Sequence, residues 1–116
     1  MREPSHPSSS RDLSIARRFK TALEPSLGGA LDSVVLFGSR AQGKAAPDSD
    51  MDVLVVVRDS GYSKSTEKRI IDEASQISLQ YEVALIPLVM TLSHYRKHAH
   101  LQTGLLQSIQ RTGIPL

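Results

Sequence analysis

Two aspartates, Asp50 and Asp52, stand one residue apart at the start of an apolar run, Met51 to Val57. A second apolar run, Ser33 to Phe37, ends upstream in Gly38-Ser39. On an extended chain, side chains two apart point to the same side, so both carboxylates share one face. Adjacent carboxylates repel each other, and burial makes the repulsion worse. A divalent cation between them removes the conflict, and oxygen-only ligands suit Mg²⁺ or Mn²⁺. Mg²⁺ takes few protein carboxylates and completes its octahedron with water and phosphate oxygens.

The glycine turn supplies a second half. Gly38 lets a backbone pass close to a ligand. If the residues after it open a helix, their N–H groups aim at an anion. Ser39 adds a hydroxyl. The guanidinium of Arg40 serves either as a phosphate fork or in a salt bridge. The stretch can thus hold a metal at one end and a polyphosphate at the other.

These residues need elements to position them. Arg11 to Leu27 reads as a helix, with Ala16, Phe19, Leu23 and Leu27 on one face. Ser10 or Asp12 can cap it, and Gly28-Gly29 stop it. The runs 33–37 and 51–57 read as buried strands. About 13 residues join them, a length that is often functional in a compact domain. Residues 63–79 read as a second helix with Ile70, Ile71, Ala74 and Ile77 inward, capped by Ser63 or Ser65. Residues 81–90, "YEVALIPLVM", read as a third strand, with Pro87 implying an edge. Thr91 caps a short segment through His100, and Leu105 to Arg111 forms a last helix stopped by Gly113. The expected fold class is α/β (α+β), a small mixed sheet of about three strands flanked by helices.

The chain has 116 residues, 40% of them apolar, a formal charge of +2 and no cysteine. One domain, residues 11–116, follows a Pro- and Ser-rich leader, residues 1–10, expected to be disordered. Disulfides and thiolate metal sites are excluded, and a cytoplasmic location is the plainer choice. Neither a nucleic-acid arm nor a membrane span is expected.

The joint pattern is more informative than its halves. "GSRAQGKAAPDSDMD" reads Gly-Ser, ten residues, then Asp-x-Asp, with "VVLF" before it and an apolar strand after it. It resembles the signature of the polymerase-β-like nucleotidyltransferase superfamily, and most closely its small stand-alone minimal nucleotidyltransferases. The ending "LLQSIQRTGIPL" is similar to theirs, and the resemblance covers roughly residues 12–116. It implies that Gly38 and Ser39 contact nucleotide phosphates, with Arg40 beside them. Asp50 and Asp52 then hold two metal ions, and a third carboxylate on a later strand completes the site. Glu82, the acid in "YEVALI", is the candidate for that third metal ligand and catalytic carboxylate, although the family more often has Asp there. Asp72 and Glu73 are rivals, but they read as the solvated face of the second helix.

The resemblance further implies an Mg²⁺-dependent transfer of AMP from ATP to a hydroxyl. It implies a small HEPN-type toxin as partner, silenced on a tyrosine by this chain as antitoxin. Two other readings stand beside it. One is a transferase acting on a small hydroxylated molecule, as the antibiotic nucleotidyltransferases do, with a dimer supplying the acceptor site. The other is a module that neutralises a partner by contact, with catalysis weak or lost.

The remaining candidates have blander readings. A calcium loop starting at Asp48 would need Gly where Val53 stands and Glu where Asp59 stands. His94 and His98 share a helical face, yet no third ligand is evident, and a surface helix explains them.

Overall fold

The computed structural model describes residues 9–101 and 104–116. Of the expected leader, only Ser9 and Ser10 fall among them. They do not continue a leader: Ser9 caps the first helix and Ser10 opens it. The elements run α1 (Ser10–Leu27), β1 (Leu31–Phe37), β2 (Met51–Val57), α2 (Lys64–Tyr81), β3 (Leu85–Thr91), α3 (Leu92–Ala99), α4 (Leu105–Thr112) and β4 (Ile114–Pro115).

The helices α1, α2 and α3 each start where a hydroxyl satisfies an orphan N–H, whereas α4 starts at Gly104 without a side-chain cap. The Ser9 hydroxyl accepts from the Asp12 amide, so neither Ser10 nor Asp12 is the cap. Ser63 accepts from Thr66, and Thr91 from His94. Gly28 ends α1 at φ 52°. The inward faces are those the periodicity indicates, except that Ile71 on α2 and Leu105, expected inward on α4, are about half exposed.

The sheet order is β3-β2-β1-β4. β1 pairs antiparallel with both β2 and β4, while β2 and β3 are parallel. The sheet is mixed, as expected, but it has four strands rather than three. β2 lies inside it and is buried on both faces. Val53, Val55 and Val57 join Phe19, Leu23, Ile70 and Ala74 in a core under α1 and α2. Leu54 and Val56 join Leu106 and Ile109 in a smaller core under α3 and α4. This two-sided burial explains why β2 reads as a continuous apolar run, with each Val or Leu contributing about 1.5–3 kcal/mol on burial. Pro87 lies on the edge strand β3, where a missing N–H is tolerated.

The third strand starts later than its composition suggests. α2 continues through Tyr81, and Glu82 forms its C-cap in the left-handed region, φ 55° and ψ 48°. The chain then needs Val83 and Ala84 to reach β3. Ser78 bridges the join: its hydroxyl donates to the Ala74 carbonyl and accepts from the Leu85 amide.

Candidate active site

The register brings the glycine turn and the carboxylates together. Phe37, the last residue of β1, pairs with Asp52 on β2. Gly38 follows at φ +80°, a conformation glycine adopts without strain. A Cβ there would stand 2.6 Å from Asp52 Oδ2. The turn therefore packs directly on the carboxylate, and a side chain at Gly38 would strain the backbone and push the Asp52 carboxylate from its place.

Ser39 to Gly43 form turns rather than a helix. The Gln42 amide donates to the Gly38 carbonyl, and the Lys44 amide to that of Ser39. Gly38 and Ser39 are both partly accessible beside Asp52, while Asp50 is exposed at the end of the loop. Burial, and then the charge of Asp50, push the Asp52 carboxyl above its ordinary value of 3.8. Gly38, Ser39, Asp50 and Asp52 thus meet at one end of the β1–β2 pair.

The repulsion has a measurable consequence. With the folded-state value raised above the unfolded one, the stability associated with this group is present below the unfolded value. It is lost as pH rises through the folded value. Asp52→Asn is therefore expected to melt at a higher temperature than the metal-free wild type at pH 7. The advantage should shrink as pH falls toward 3.8. Paired thermal melts across that range check both sign and window.

Arg40 does not face a ligand. Its side chain is 8% exposed and that of Asp12 9%, and the two pair at 2.9 Å. Its Nε and Nη2 donate to the Ser49 carbonyl at 3.0 and 2.7 Å, and Nη2 also donates to that of Pro47 at 3.2 Å. These contacts match the salt-bridge use of Arg40. Arg40 ties the loop before Asp50 to α1. The signal lay in Asp12, which sequence reasoning took only for a helix cap.

Glu82 is likewise corrected in position. It is exposed at the C-cap of α2 and not on β3. Among the described residues, no group of three His, Asp or Glu side chains is disposed to hold a metal, so the structure does not bring Glu82 into one cluster with Asp50 and Asp52. A non-glycine residue in the left-handed region costs about 1 kcal/mol. Glu82→Gly is expected to raise stability by roughly that amount, with transfer activity unchanged. Urea titration and a transfer assay on one preparation check both halves.

Asp72 pairs with Lys68 at 2.9 Å on exposed helix surface, as a solvated face should. The His94 and His98 rings stack at 4.1 Å, and they too belong to no three-residue metal-binding group among the described residues. A 550 Å³ groove between α1 and α2 is lined by Arg17, Arg18 and Tyr81 among others, and by none of the candidate site residues. No helix among the described residues is long and apolar enough to cross a membrane.

The donor set suits a hard cation: two carboxylates, with no sulfur or imidazole beside them. The family described as "Polymerase beta, Nucleotidyltransferase" matches residues 28–112, which include every candidate site residue. A relative from Methanocaldococcus jannaschii, named "Putative protein adenylyltransferase MJ0141", is 32% identical over 102 residues, covering 88% of this chain and 95% of that protein. Among solved structures, a toxin–antitoxin with AMP-PNP superposes at a TM-score of 0.57 and 19% identity, over 84% of this chain and 69% of that one. A mutant of the toxin–antitoxin MntA–HpeT superposes at 0.54 and 15% identity, with the same coverage. These two likenesses are of fold. The extent of the family match, together with the relative's identity and coverage, shows that this chain belongs to the polymerase-β nucleotidyltransferase family.

Proposed function

We propose that the chain transfers AMP from ATP to a hydroxyl of a partner protein, most simply a tyrosine of a HEPN-type toxin that it silences as antitoxin. The observation that supports this reading is the packing of the Gly38 turn on Asp52, which sets a glycine backbone beside the carboxylate assigned here to the metal. The protein-adenylyltransferase name of the archaeal relative and the fold shared with toxin–antitoxin structures support the acceptor class.

In this reading Asp50 and Asp52 hold Mg²⁺. When bound, the cation supplies charge neutralisation at the phosphates and offsets the repulsion between the carboxylates. The Gly38 backbone lies against the triphosphate, and the Ser39 hydroxyl donates to it. The acceptor hydroxyl would give its proton to solvent as its oxygen bonds to the α-phosphorus, the α–β bridging P–O bond breaks, and pyrophosphate leaves with the bond's electron pair. Positioning and charge stabilisation carry most of the rate, because the protein forms no covalent bond to the substrate.

One observation favours a second reading, in which the chain neutralises its partner by contact alone. The described residues bring no third carboxylate to Asp50 and Asp52.

The test is incubation of the purified chain with α-labelled ATP, Mg²⁺ and a lysate of its own source. Label on one small protein band supports the proposal and identifies the acceptor. Label in a small-molecule fraction replaces it with an antibiotic-type transferase. No label leaves the contact module.

A further inference from the structure

The sheet register fixes what stands beside Asp52. Cross-strand partners share a face, so the side-chain neighbours of Asp52 within the sheet are Phe37 on β1 and Ile86 on β3. Both are apolar. Ile86 is 48% exposed on an edge strand, where hydrophobic burial gives little reason for an isoleucine. The position is next to the carboxylate, on its own face, and accessible from solvent. A carboxylate there would lie beside Asp52 in the adjacent strand, whereas Glu82, at the end of α2, precedes that strand. Among the described residues, the carboxylates gathered at this place are therefore Asp50 and Asp52.

Two carboxylates suffice for Mg²⁺ only when phosphate oxygens and water fill the rest of the octahedron. Resting on the reading above, we propose that Ile86 sets the metal affinity of this site. It withholds a third carboxylate, so that divalent cation and nucleotide triphosphate bind as one cooperative unit and neither binds well alone. By linkage, the nucleotide raises metal affinity by the factor by which metal raises nucleotide affinity, typically about 5–150-fold. The device keeps the site empty of metal until nucleotide arrives.

The experiment measures Mn²⁺ binding without nucleotide, from the loss of the free-ion electron paramagnetic resonance signal. It compares wild type, Ile86→Asp, Ile86→Asn and the double variant Ile86→Asp/Asp52→Asn. Ile86→Asp is expected to bind Mn²⁺ on the order of 10-fold or more tighter than wild type, since affinity rises with ligand charge count. Ile86→Asn should stay near wild type, and the double variant should lose the gain. The exposed position favours folding of all four, and circular dichroism checks it. Ile86→Glu serves as a second carboxylate variant should Ile86→Asp misfold.

Equal Mn²⁺ affinity in the folded carboxylate variant and wild type would overturn the proposal. So would a gain that survives removal of the Asp52 charge. Label transfer by wild type is scored separately. A failed Mn²⁺ result with intact transfer faults this inference alone, and a confirmed Mn²⁺ result without transfer faults the functional reading alone.

Discussion

Asp52→Asn lowers AMP transfer by on the order of 10³-fold, equivalent to about 4 kcal/mol of lost transition-state stabilisation. Asparagine keeps the shape of the side chain and removes its charge, so the loss isolates the electrostatic role. Asp52 lies on β2 between Phe37 on β1 and Ile86 on β3, and its backbone is held by two ladders. A side chain so fixed cannot be replaced by a neighbour swinging in. Asp50 sits outside the strand in exposed loop, and its substitution should cost less, on the order of 10²-fold. Single-turnover transfer assays on variants with unchanged circular dichroism check both values. Activity of Asp52→Asn within tenfold of wild type would remove Asp52 from the metal site and favour the contact module.

Arg40→Ala destabilises the domain by about 3–5 kcal/mol, because it leaves a carboxylate buried without its partner. Asp12 has less than a tenth of its side chain exposed, and its carboxylate pairs with Arg40 at 2.9 Å. Arg40→Lys recovers part of the loss at most. One ammonium cannot reproduce the planar fork that reaches Asp12, Ser49 and Pro47 together. Against a total stability of roughly 5–15 kcal/mol for domains generally, the change is large. Urea unfolding measures it, and a cost below about 1 kcal/mol would show the pair to be solvent-screened. The variant should also lose transfer within its folded fraction. Arg40 clamps the carbonyls of Pro47 and Ser49, and Ser49 immediately precedes Asp50.

Much of the frame was legible because local rules and burial agree there. The bounds of β2 fall where its apolar run begins and ends, since both faces of that strand are covered. Gly28 stops α1, and Ser63 and Thr91 cap α2 and α3 by local hydrogen bonds that sequence spacing reveals. The Gly38–Asp52 meeting was likewise legible, because it follows from two short strands joined by one loop.

What escaped the sequence depends on distant or atypical contacts. Nothing local marks the turn at Glu82, because the left-handed cap that usually requires glycine is made by glutamate. Tyr81 therefore reads as strand when it is the last residue of a helix. β4 is two residues long and exists through its pairing with Val35 and Leu36, far back in the chain. The role of Arg40 depends on Asp12, 28 positions away. Charge and spacing alone gave Arg40 two equal uses, and burial selected one.

The most direct test of the account distinguishes which phosphate moves. The wild-type chain, Mg²⁺ and the unmodified acceptor are incubated in parallel with ATP labelled at the α- or at the γ-phosphate. Nucleotidyl transfer at the Gly38–Asp52 site predicts α-label on the acceptor and γ-label released in pyrophosphate. Acceptor carrying γ-label would mean phosphoryl transfer, and it would contradict the account.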